Sequence, residues 1–135
     1  MAELWRYVGR MGGSNGSPST RNYTAGAGGW AKGDPLVASS GKLIKATAGS
    51  ATTPITHIAM QDAVADAVAP AIELTPDSLI SIGKSGSPTA LAKYGITATT
   101  FLVDATNTTQ IRVKVLGADP NDSTRLLCVS LDWLA

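Results

Sequence analysis

Ile111, Val113 and Val115 alternate with Arg112 and Lys114, a period of two that predicts a strand with one face buried and the other in water. Leu127, Val129, Leu131 and Trp133 repeat that spacing toward the last residue. Upstream, Pro35 to Ala38 predicts a short strand, Ser39-Ser40-Gly41 a tight turn, and Lys42 to Thr47 the returning strand of a hairpin. Ile55 to Met60, Ser78 to Ile82 and the Thr-rich stretch from Tyr94 to Val103 supply further strands. Strands at this spacing, parted by Gly, Pro, Asn and Asp, predict an all-β fold: a small β-barrel or sandwich built from hairpins.

One segment carries the other periodicity. Val64, Val68 and Ile72 recur every fourth residue, as on a helix face. Pro70 falls inside that window and would remove a helical hydrogen bond at a cost of about 3 kcal/mol. Asp62 and Asp66 add a like-charge pair at helical spacing. A loop over 61–69 followed by a strand from Ala71 to Leu74 is the better expectation, with a short helix ending near Ala69 as its alternative.

From Gly9 to Gly29 the chain has almost no large apolar residue and many Gly and Ser, which predicts an extended, flexible N-terminal arm over 1–29 followed by a β-domain over 30–135. Aromatic residues flank this stretch: Trp5 and Tyr7 on one side, Trp30 on the other. They would anchor the arm to another protein, or Trp5 would fold back onto the domain's own core; both alternatives stay open.

Composition refines the picture. The 135 residues suffice for one domain, and only 16% are charged, against about a quarter in an average soluble domain. Small side chains fill the difference, so the core is thin and gains by association with a partner subunit. Residues 1–45 hold six basic side chains against Glu3 and Asp34, whereas residues 46–111 hold Lys84 and Lys93 against five acids. That asymmetry could orient docking, but it is too dilute for a nucleic-acid patch, so no direct nucleic-acid contact is expected. Cys128 is alone, which excludes an intramolecular disulfide. No signal-peptide or transmembrane stretch stands out, so synthesis in a cytoplasm and no membrane contact are expected.

Candidate chemistry is sparse. Nucleophilic catalysis needs a nucleophile, a base and an orienting group. The single histidine, His57, sits in an apolar strand, on the face that alternation gives to Ile55 and Ala59, and is expected to pack rather than react. Gly83-Lys84-Ser85 ends like a phosphate-binding loop, but its earlier glycine is replaced by Ser78 and Gly86-Ser87-Pro88 follows where a helix should start. Asp62 and Asp66 find no second carboxylate across a cleft. Asp119, Asn121 and Asp122 lack the spacing and distal Glu of a calcium loop and predict a turn. No catalytic residue, cofactor or metal is expected.

The run Lys32-Gly33-Asp34-Pro35-Leu36-Val37, then Ser40-Gly41-Lys42-Leu43-Ile44-Lys45-Ala46-Thr47, then Pro54-Ile55-Thr56-His57-Ile58-Ala59, resembles the capsid decoration (cement) proteins of tailed bacteriophages. Those proteins carry a Gly-Asp, strand, Gly, strand, Ala-Thr hairpin followed by an Ile-x-Gly-x-Ala strand; His57 stands where that glycine would be. The resemblance covers roughly residues 30–62. It implies a small β-barrel, often trimeric, that sits on the major capsid protein of a virion and resists internal DNA pressure, with no active site. Trp5, Tyr7, Arg10, Trp30, Leu131 and Trp133 are then the candidates for capsid or oligomer contact. A tail or fibre β module binding a receptor or glycan is the alternative.

Overall fold

A computed structural model describes residues 4–10, 20–47 and 53–132. The described residues are all-β, in two sheets. In chain order the strands are β1 (Trp5–Arg10), β2 (Thr20–Thr24), β3 (Pro35–Ser39), β4 (Lys42–Lys45), β5 (His57–Ala59), β6 (Val68–Glu73), β7 (Ser78–Ser85), β8 (Lys93–Ile96), β9 (Val103–Asp104), β10 (Val113–Asp119) and β11 (Asp122–Ser130).

A six-stranded sheet runs β1-β7-β11-β10-β8-β9, and a five-stranded sheet runs β2-β6-β5-β3-β4. Both curl. In the first, β9 pairs antiparallel with β8 and also parallel with β7, through Lys84 to Val103 and Ser85 to Asp104. In the second, a bridge from Ala25 to Leu43 joins the end of β2 to β4, and Gly26 N–H donates to Leu43 O at 2.8 Å. A Cβ on Gly26 would lie 2.5 Å from Ile44 Cγ2, so this seam closes only because residue 26 has no side chain. Joining edges in this way removes unpaired backbone groups that would otherwise template aggregation.

The main core lies between the sheets: Ile80, Ile82, Val113, Val115, Leu126 and Cys128 from one, and Val37, Ile58 and Ile72 from the other, with Trp5 and Phe101 added. A second core occupies the far face of the five-stranded sheet and is mostly small: Ala25, Ala59, Ala69 and Ala71 with Leu36, Leu43 and Trp30. Segments 25–34 and 60–67 enclose it. Trp30 and Ala63 exchange both backbone hydrogen bonds at 2.8 and 2.9 Å, and Asp66 N–H donates to Ala25 O at 2.8 Å. Gly29, at φ +61°, fits there because a Cβ would meet Ala63 O at 2.2 Å.

Several expectations need correction. Residues 1–29 are not one arm: β1 pairs with β7 and β2 pairs with β6, while residues 1–3 and 11–19 lie outside the described residues. The 61–69 stretch has no helix; Val64 sits at a turn and a strand begins already at Val68. Pro70 is tolerated in β6 because its nitrogen faces the β5 side beyond Ala59, the last residue of β5, where no ladder donor is required; its carbonyl on that side still accepts from Met60 N–H at 3.0 Å. Tyr94 to Val103 splits into β8 and β9 around a turn in which Phe101 adopts φ +53°. Leu126 and Cys128, not Leu127 and Val129, face the main core. Arg112, expected in water, is buried, and Ile111 lies outside β10 with 42% of its surface exposed.

Candidate interaction surface

The aromatic residues expected at a contact surface are mostly internal. Register places Trp5 opposite Ile82, so its ring enters the main core, where it is 1% exposed. Its indole Nε1–H donates to Phe101 O at 3.0 Å, which holds the left-handed turn at Phe101. Tyr7, two residues on and opposite Ile80, is half-buried against the same core. Trp30 is buried in the second core and donates from Nε1 to Gln61 O at 2.8 Å. Trp5 and Trp30 therefore anchor this chain to itself. Arg10 ends β1, opposite Ser78, and its side chain lies outside the described residues, as does Trp133. Leu131 is half-buried, with its N–H donating to Arg112 O at 2.8 Å.

Two charged clusters serve the fold. Arg112 Nη1 donates to Asp132 Oδ2 at 2.7 Å and to Thr53 O at 3.2 Å, and Asp132 also accepts from Ile55 N–H at 3.1 Å. This ties the chain after β11 to the segment preceding β5. Arg125 donates to Ser81 Oγ and Ser81 O, and Ser81 Oγ–H donates to Asp119 Oδ2. Hydrogen bonds from the Ser81 hydroxyl and the Asn121 amide hold the Asp119 carboxyl below its ordinary range. The Asp119-Asn121-Asp122 stretch is thus the tip of the β10–β11 hairpin, as its composition predicts.

His57 lies on the outer side of β5 with Ala59; Ile55 turns instead into the main core. Its Nδ1 is 2.7 Å from Thr56 Oγ1, and its ring meets Tyr23 edge-on at 4.7 Å between centroids. The buried Nε2 has no hydrogen-bond partner, and Glu73 Oε2 is 3.9 Å away. Burial lowers the imidazole pKa, and Glu73 opposes that shift. Among the described residues no three His, Cys, Asp or Glu side chains stand close enough to hold a metal ion.

What periodicity did not reveal is the outer face of the six-stranded sheet. Leu79 on β7 and Leu127 and Val129 on β11 point away from Ile80, Leu126 and Cys128, and they belong to neither core. Val8, at the bulge of β1, is 43% exposed beside them. Next to Val129 in the register stands Lys114, and next to Lys114 stands Lys93. Neither lysine makes an ion pair with a described residue. Leu126-Leu127-Cys128-Val129 reads as a continuous apolar run, which conceals that its two faces meet different surroundings.

No protein-family model matches the chain, and no curated protein matches its sequence.

Proposed function

We propose that this protein is a capsid decoration protein that binds the outer surface of a bacteriophage head and stabilises it against the pressure of packaged DNA. The observation that carries the reading is the likeness of residues 32–59 to that family, together with the place of those residues in the fold. They form three adjacent strands, β4-β3-β5, rather than scattered pieces. The Gly-Asp pair that opens the motif is structural. Asp34 is buried, its Oδ2 accepts from Ala31 N–H at 2.9 Å, and its Oδ1 stands 3.7 Å from Lys45 Nζ across the hairpin. Gly41, at φ +79°, makes the tight turn.

A rigid, two-core fold suits this task. A clamp on a lattice needs a fixed shape and repeated contacts, since many modest contacts on one shell add up through multivalency. Association into a homotrimer belongs to the same proposal, because the second core is mostly of small side chains and gains burial from neighbouring copies.

The test is co-sedimentation with heads of the phage that encodes the chain, prepared without this protein. The chain should pellet with the heads at a fixed stoichiometry, and decorated heads should survive heating that bursts bare ones. A chain that stays in the supernatant, or that pellets with tails or with host cells, refutes the proposal.

A further inference from the structure

We infer that the outer face of the six-stranded sheet is the docking surface, and that it fits a protein surface presenting aliphatic side chains beside a carboxylate. The inference rests on the decoration reading and names the face that meets the head.

Two features converge. The first is the apolar pair of Leu79 and Leu127, half-buried and in neither core, beside the buried Val129 and the exposed Val8. Half-covered aliphatic side chains on an open sheet face gain by being covered. The second is charge. Lys93 and Lys114 are direct cross-strand neighbours on the same face, and no described carboxylate pairs with either. Like charges placed so destabilise a sheet. Covering two lysines without an anion would cost still more. A partner carboxylate over the pair relieves the repulsion and fixes the register of docking.

A second copy on this face would not answer the two lysines. Arg6 lies on β1 at the opposite flank, directly across from Ser81, and the carboxylates near it are already engaged within the chain: Asp119 accepts from Ser81 Oγ–H and Asn121 N–H, and Asp122 from Thr124 N–H and Oγ1–H. A two-fold contact through this face would therefore bring Lys93 and Lys114 against Arg6 and carboxylates that already have partners. The exposed Val64 and Val68 have no such unmet charge beside them: the nearby Asp66 already pairs with Lys42 at 2.9 Å.

Lys93→Glu tests the proposal without risk to the fold, because it turns the like-charge pair into an ion pair with Lys114. Its thermal midpoint should equal or exceed that of the wild type, while its affinity for undecorated heads falls about tenfold or more. Lys42→Glu changes net charge equally on the other sheet and should bind like the wild type. A lowered midpoint for Lys93→Glu would overturn the premise that the lysines repel. Unchanged binding by Lys93→Glu, or equal losses for both variants, would overturn the face and leave the decoration reading standing. Failure of the wild type to bind heads would overturn that reading and this partner together. Sedimentation velocity completes the set: self-association abolished by Lys93→Glu would give the face to another copy and overturn the acidic partner.

Discussion

Replacing Trp5 with alanine should remove much of this protein's stability margin, although it is only the fifth residue of the chain. Three losses combine. The ring is 1% exposed within the main core, and emptying such a site costs about 3–5 kcal/mol when surrounding side chains relax only in part. The indole N–H to Phe101 O bond goes with it, leaving a buried acceptor unpaired. Phe101 sits at φ +53°, a conformation uncommon for a bulky residue, and loses the contact that holds it. A typical domain has only about 5–15 kcal/mol in total, so this one side chain accounts for about a fifth of it or more. Urea denaturation followed by circular dichroism measures the change, with Trp5→Phe as the companion variant that keeps an aromatic ring and loses only the N–H. The alanine variant should fall by about 3–5 kcal/mol and the phenylalanine variant by distinctly less. An unchanged midpoint for Trp5→Ala would refute the placement of β1 in the sheet and restore a detachable arm.

Three further outcomes follow from single atoms. Gly26→Ala should destabilise by about 1–3 kcal/mol through overlap with Ile44, and adding Ile44→Ala should recover part of that loss in a double-mutant cycle; a neutral Gly26→Ala would mean the seam between β2 and β4 is open. Cys128 is wholly buried and burial pushes its thiol up to about 12, so a thiol reagent should label it only at the rate of unfolding; fast labelling in native buffer contradicts the facing of β11. His57 has a lowered pKa in the folded state, so the unfolded chain binds the proton more readily. Stability should be full above the ordinary imidazole value of about 6.5 and decline as pH falls below it. Glu73→Gln should steepen that decline, and a titration of unfolding free energy in which His57→Gln keeps the same slope would assign the effect elsewhere.

The parts of the fold that were legible in the sequence are those where one face meets the core and the other meets water. The Val113 to Val115 alternation of β10 is of this kind. The hairpin of β3 and β4 was legible instead from its turn at Gly41 between two short apolar runs, since both of its faces are covered, Val37 by the main core and Leu36 and Leu43 by the second. β2 left no such trace, because Thr20, Arg21 and Asn22 are exposed and the strand is held by its backbone pairing to β6. β1 did leave one: Trp5 and Tyr7 face inward around an exposed Arg6, a short period of two overshadowed by the glycines that follow. The four-residue spacing of Val64, Val68 and Ile72 was coincidence, since the first two are exposed at 76% and 64% and only Ile72 enters the core. Arg112 was misplaced because alternation cannot foresee that Asp132, twenty residues on, bends back to pair with it. The candidate docking face was hidden for a related reason. Leu79 and Leu127 look like core residues in one dimension, and the adjacency of Lys93 and Lys114 exists only once β8 and β10 are paired.

The most direct measurement is a three-dimensional electron-microscopy map of phage heads before and after incubation with the protein. The account predicts added density of this fold on the outer shell, seated through the six-stranded sheet with Lys93 and Lys114 over a carboxylate of the major capsid protein. Heads whose outer surface is unchanged at saturating protein, or density confined to the tail, would contradict it.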